Sequence, residues 1–247
     1  MRLLYFLNGI PIHRIFSIEE AILRLKAEDN APDTLMLYVM RPSAVSIGYF
    51  QRIKDTVNLE VARSLGIRVV RRITGGGAVY HDGNGEVTYG LIKLARGLLI
   101  DLMKTYCEGI AEAVRCIGLE AELKPINDIV VHGRKVSGSA GTIFKGALLQ
   151  HGTLLYNTDL EIVERLLKVP KEKLRIHGVK SIKARITTLS IELGRTVSKE
   201  EVAEALTKGF SKILNVKFFK GELSEKENKL AEKIETKYKS DSWNFRR

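Results

Sequence analysis

The sequence predicts an α+β fold, a mixed and largely antiparallel sheet flanked by helices. Helical and strand patterns are interleaved along the chain without a regular β-α-β alternation. Beyond residue 118 several short β-prone pieces follow one another, with a hairpin-like turn at HGRK (132–135). Neither an internal repeat nor a low-complexity linker divides the 247 residues, so one domain spanning 1–247 is expected.

In chain order, SIEEAILRLKAED (17–29) reads as the first helix. Ser17 is its expected N-cap, Glu20 follows three residues later, and Ile18, Ala21, Ile22 and Leu25 share one face. TLMLYVM (34–40) and AVSIGYF (44–50) read as strands parted by Arg41-Pro42-Ser43. NLEVARSLG (58–66) reads as a helix stopped by Gly66, and IRVVRR (67–72) as a strand entering three glycines. VTYGLIKL (87–94) is a further strand. The stretch 97–118 keeps apolar residues at helical spacing over several turns and closes at Gly118. AELKP, DIVVHG, RKVSGSA and ALLQHGTLLYN are then the short β-prone pieces. DLEIVERLL (159–167) and SKEEVAEALTKGFSKIL (198–214) are helices with Asp and Ser caps, and NVKFFK (215–220) a last strand. The charged tail still puts Leu223, Leu230, Ala231 and Ile234 at helical spacings, which predicts a docked terminal helix.

Composition excludes several classes. Apolar residues make up 45% and charged residues 28%, the balance of a globular protein. No apolar run approaches the ~20 residues of a membrane span, and Asn8 and Pro11 interrupt the apolar start before a secretory core can form, so no membrane association and a cytoplasmic chain are expected. The net charge of +11 is spread along the chain, and no nucleic-acid-binding pattern accompanies it, so no nucleic-acid partner is expected; a basic surface equally suits an acidic protein. The two cysteines, Cys107 and Cys116, fall in one helix about 13 Å apart and cannot pair there. No Cys/His spacing suggests zinc.

Three segments carry chemistry. RRITGGGAVYHD (71–82) sets Gly75, Gly76 and Gly77 between Arg71, Arg72 and the pair His81-Asp82. Glycines alone fit a tight turn; with those flanks they also fit a ligand lying close to bare backbone. The pattern is neither a P-loop nor a dinucleotide fingerprint. In INDIVVHGRKVSGSA (126–140), Asn127 and Asp128 suit a ribose hydroxyl or Mg²⁺. Strand alternation would put Lys135, Ser137 and Ser139 on one face, with Val136 and Gly138 on the other. Lys135 then either meets an anion or keeps an edge strand soluble. In GALLQHGTLLYN (146–157), His151 and Thr153 share a face around Gly152. A satisfied core histidine is the default there, and the glycine admits something flat or long.

In their order and spacing these segments resemble the lipoate–protein ligase group of the biotin/lipoate ligase superfamily. VSIGYFQ (45–51), HGVKSIKARITTL (177–189) and SWNF (242–245) extend the resemblance over nearly the whole chain. It implies a class II synthetase-like catalytic domain that activates lipoate with ATP and Mg²⁺ to lipoyl-AMP, then acylates a lysine of a lipoyl carrier domain. That carrier would be the glycine-cleavage H protein or a 2-oxoacid dehydrogenase E2. By motif, Lys135 would be the catalytic lysine and Asp128 the metal ligand. Gly75, Gly76, Gly77, Ser137 and Ala140 would lie along the adenylate. Arg72, His81 and Val79 would line the pocket, Asn127 would hold ribose, and His151 with Thr153 would complete the wall. Related octanoyl and lipoyl transferases use a cysteine thioester, expected near NDI or after HGTLL, where this chain has none. The resemblance also implies a small accessory domain supplied as a separate subunit.

Overall fold

The computed structural model of the protein describes residues 1–125, 127–168 and 181–246. The elements in order are β1 (Arg2–Ile10), α1 (Ile12–Ala27), β2 (Thr34–Met40), β3 (Ala44–Ile47), α2 (Ile53–Thr56), α3 (Leu59–Ser64), β4 (Arg68–Arg71), β5 (Val79–His81), β6 (Glu86–Leu94) and α4 (Leu99–Cys116). They continue with β7 (Glu122–Lys124), β8 (Asp128–Val131), β9 (Arg134–Phe144), β10 (Ala147–Leu155), α5 (Leu160–Leu166), α6 (Ile182–Arg185), α7 (Leu189–Leu193), α8 (Lys199–Leu214), β11 (Phe219–Lys220), α9 (Glu225–Lys239) and α10 (Asp241–Asn244).

Eight strands form one mixed sheet in the order β11-β1-β2-β6-β10-β9-β8-β7. Its β11-β1-β2 end is parallel and the remainder antiparallel, as the α+β expectation requires. β2 shows how the layers form. Leu35, Leu37 and Val39 join a core with α4 and α8, whereas Met36, Tyr38 and Met40 join one with α1 and α9. A strand buried on both faces has no polar side to alternate, which is why TLMLYVM is almost wholly apolar. β3 turns out of this sheet and forms a second, three-stranded one, ordered β4-β3-β5, packed with α3 and α5 around Val45, Ile47, Val57 and Leu166.

One local signal behaves differently from expectation. The first helix starts at Ile12 behind Pro11, and Ser17 lies inside it, donating its hydroxyl to Arg14 O at 2.7 Å. Proline can open a helix because the missing N–H has no partner in the first turn anyway, so the polar cap signal misled. The terminal helix does form and packs on α1, through a capping box of Ser224 with Glu227. The Asp159 and Ser198 caps also accept backbone N–H groups as predicted. No helix among the described residues is long and apolar enough to cross a membrane.

Candidate active site

A cavity of about 770 Å³ lies between the two sheets. Its walls come from α1 and β2 (Phe16, Tyr38, Met40), from the glycine loop and β5 (Gly76, Gly77, Val79, His81), and from the inner faces of β9 and β10 (Gly138, Ala140, His151, Thr153, Leu155). Arg72, Asn127, Asp128 and Lys135 line it as well. Of the predicted site residues, only Gly75 and Ser137 do not.

The bottom of the site is a buried hydrogen-bond frame. The Arg72 guanidinium donates through Nε to Thr74 Oγ1 (3.0 Å), through Nη1 to Ser46 Oγ (3.1 Å), and through Nη2 to Gly75 O (2.7 Å) and Gly77 O (2.8 Å). Burial lowers its pKa to about 10. His81 lies between Glu86 Oε1 (2.6 Å) and Ser46 Oγ (2.9 Å), and His151 between Glu19 Oε2 (2.8 Å) and Thr74 Oγ1 (2.8 Å). His151 is thus both the satisfied core histidine that its apolar surroundings suggest and a wall residue of the cavity. Tyr38 donates to Glu19 Oε1 at 2.8 Å, and burial, with that carboxylate beside it, pushes the phenol well above its usual value. Asp82 stays out of the chemistry: its oxygens accept Asn84 N and Asp159 N and fix a turn.

Lys135 arrives by a route that alternation does not predict. Ile129 pairs with Ser137 but the next residue, Val130, pairs with Lys135, so Val136 is an extra residue in β9. This β-bulge shifts the pleat. Val136 and Ser137 both fall on the face that packs against α4, while Lys135 joins Gly138 and Ala140 on the cavity face. The expectation that Lys135, Ser137 and Ser139 share a face is therefore corrected: Ser137 is fully buried with an unpartnered hydroxyl, and Ser139 turns its hydroxyl to Tyr89 at 2.6 Å. A side chain at Gly138 would displace the Lys135 ammonium from the position it holds. What Gly152 admits is likewise protein, the Gly138 carbonyl and the Tyr89 hydroxyl.

Asp128 holds two cations. Its Oδ1 lies 2.6 Å from Lys135 Nζ and its Oδ2 accepts from Arg185 Nη2 at 2.8 Å. Thr187 N donates to Lys135 O at 2.9 Å, which docks the segment bearing Arg185 against β9. Asn127 donates its side-chain amide to Ser139 O. Each Asp128 oxygen thereby meets one cation, and among the described residues no group of three or more His, Cys, Asp or Glu could hold a metal. Asp128 therefore orders Lys135 and Arg185 and keeps lone pairs that a cation could share.

Arg185, Ser46, Thr74, Glu19 and Glu86 escaped the sequence reading. Arg185 stood inside the downstream stretch of resemblance and Ser46 inside VSIGYFQ, so motif membership was their only signal. Glu19 gave none, because a glutamate in a helix reads as solvent-facing. Residues 177–180 of that downstream stretch lie outside the described residues.

Arg71 and the SWN segment work as a pair. Fully buried, Arg71 donates to Gly48 O, Tyr49 O and Gln51 O and to Trp243 O and Asn244 O. Trp243 Nε1 returns a bond to Arg71 O at 2.8 Å. The loop so fixed places Gly48 against the Gly76 carbonyl, where no side chain fits, and brings Gln51 to the cavity.

The family model of the lipoyl protein ligase A/B catalytic domain matches residues 11–211. The chain belongs to that family. It is 33% identical to the octanoyltransferase LipM of Brevibacillus brevis, over 94% of each chain. Against lipoate-protein ligase A subunit 1 of Thermoplasma acidophilum the identity is 34%, covering 92% of this chain and 89% of the other. Its fold superposes on the bipartite lipoate protein ligase of T. acidophilum, described with its E2 lipoyl domain, at a TM-score of 0.86 and 33% identity, covering 99% and 95% of the two chains. An ATP-bound lipoate-protein ligase A gives 0.86 at 30% identity, with 99% of each chain covered. Within the lipoyl ligase family, the relatives therefore include both acyl transferases and ligases. The cysteines bear on that division. Cys107 is sealed in α4 against Ser139 and Gln150, where burial pushes its thiol pKa up; Cys116 is exposed, not buried as a small apolar residue would be. Neither lines the cavity.

Proposed function

We propose that this chain is the catalytic subunit of an ATP-dependent lipoate–protein ligase. The observation that carries the reading is a cavity without a thiol, in a chain whose only two cysteines lie elsewhere. An acyl-thioester needs a cysteine nucleophile; an acyl-adenylate needs cations. Lys135 and Arg185, ordered by Asp128 at the cavity wall, supply them.

In the first step the lipoate carboxylate attacks the α-phosphorus of ATP, forming the acyl-phosphate bond and releasing pyrophosphate. Lys135 neutralises the charge that gathers between carboxylate and α-phosphate, and Arg185 stands beside it. Mg²⁺ bound with the nucleotide would add charge neutralisation at the phosphates, and Asp128 is the carboxylate that would hold it. Gly76, Gly77 and Ala140 let the adenylate lie flat, Asn127 binds ribose, and Phe16, Met40, Val79 and Leu155 enclose the apolar chain. In the second step a carrier lysine amine attacks the acyl carbonyl and AMP leaves. The carrier is a lipoyl domain of the H-protein or E2 type, and the +11 charge steers an acidic one. The similarity to a subunit 1 and to a bipartite ligase supports a separate small subunit that completes activity.

The test is to incubate the chain with ATP, Mg²⁺ and lipoate, with and without a candidate small subunit, and to measure the acyl-adenylate by mass. Adenylate that is lost in Lys135→Ala and raised by the subunit is the expected result. Octanoyl transfer from a carrier without ATP, and no adenylate, would move the chain to the transferase branch that LipM represents.

A further inference from the structure

Arg72, His81 and His151 face the cavity, yet their polar atoms are almost entirely engaged by the protein. Four of the five guanidinium N–H groups of Arg72 are taken, and both nitrogens of each histidine. The connections form two chains that meet at one point. One runs Glu86–His81–Ser46–Arg72, the other Glu19–His151–Thr74–Arg72. Proton directions follow: Arg72 donates into each hydroxyl, each hydroxyl can donate on to a histidine Nε2, and each Nδ1–H is left for its glutamate. Every member is buried.

At the meeting point Arg72 takes the carbonyl oxygens of Gly75 and Gly77, two of the three in the glycine run. Free carbonyl dipoles along this loop would repel a carboxylate or phosphate lying over it. Bound to a guanidinium, they are neutralised and held back, and a desolvated positive charge stands behind the loop.

We propose that Ser46 and Thr74 are positioning residues that clamp Arg72 from two sides, so that the glycine loop accepts an anion. The inference rests on the ligase reading, in which the carboxylate lies along that loop. It makes the two hydroxyls selective for the charged end of the ligand and indifferent to its apolar chain.

The experiment is calorimetric binding of lipoate and of neutral lipoamide to the full chain and to Ser46→Ala, Thr74→Val and Thr74→Ser, with melting temperatures alongside. Losing a hydrogen bond to a buried cation is expected to weaken lipoate about tenfold or more in Ser46→Ala and Thr74→Val. Lipoamide should stay within about twofold, and Thr74→Ser should restore lipoate. Equal losses for both ligands that track the melting temperature, or unchanged lipoate affinity, would overturn the positioning role while leaving the ligase reading intact. A wild-type chain that binds neither ligand would overturn both.

Discussion

Replacing Arg71 by lysine tests whether the C-terminal segment is structurally part of the site. The guanidinium serves five backbone carbonyls, with distances from 2.6 Å (Gln51 O) to 3.3 Å (Trp243 O). An ammonium keeps the charge but has three donors, so at least two carbonyls lose their partner. At about 1–3 kcal/mol for each buried group left unsatisfied, Arg71→Lys should cost about 2–6 kcal/mol. For a chain of this size that lowers the melting temperature by roughly 5–20 °C. The assay is guanidinium unfolding with the m-value held common, so that a shift of midpoint reads as stability. A variant within about 0.5 kcal/mol of wild type would refute the claim that Arg71 braces the two segments, since a surface exchange gives no more than that.

Other outcomes follow from the same geometry. A thiol reagent should modify Cys116 in the native protein and reach Cys107 only on unfolding, as thiol counting by mass will show. Gly48→Ala drives a methyl into the Gly76 carbonyl; the chain should stay folded by circular dichroism and lose lipoate affinity by about tenfold or more. In alkali, burial raises the pKa of Tyr38, Tyr89 and Tyr238 above 10.0. Above pH 10 the unfolded chain releases these protons and the folded chain keeps them, so stability present below pH 10 is lost as pH rises. Arg72, lowered to about 10 from 12.5, and Lys237, lowered by burial, act in the opposite direction, while Tyr80 and Tyr156, raised by burial, add to the tyrosines. Absorbance at 295 nm during a pH titration should show Tyr38, Tyr89 and Tyr238 ionising only with unfolding.

Much of the fold was legible because period and capping act locally. The short apolar run 34–40 bounded by turn residues, the long amphipathic 99–116 and the Asp159 and Ser198 caps each specify their element within a few residues. Sheet membership was not, since nothing in AVSI says that β3 leaves the sheet of β2 three residues earlier. The candidate site was legible where the chain is bare or charged against its surroundings, as at Gly76, Lys135 and His151. The frame was not, because Ser46, Thr74, Glu19 and Glu86 are ordinary polar residues locally. Their meaning lies in contacts spanning up to 132 residues, from Glu19 to His151.

The bulge in β9 is the sharpest case, because period-two reasoning turns Lys135 inward with the wrong neighbours. Pairing with β10 pins Gly138 opposite Thr153 and Ala140 opposite His151, so everything after the bulge is fixed and Lys135 must adjust. Inserting one residue between Ile129 and Val130 gives Val136 a partner across the ladder and removes the bulge. Regular alternation then carries Lys135 to the face packed against α4, away from Asp128 and from the cavity. Val136→Ala separates this from simple loss of packing, since it empties part of the same fully buried position but keeps the register, at about 1–3 kcal/mol. The expectation is that Val136→Ala still forms adenylate under saturating lipoate and ATP, whereas the insertion variant folds less stably and forms none. Adenylate from the folded insertion variant at the rate of Val136→Ala would show that the bulge does not deliver the lysine.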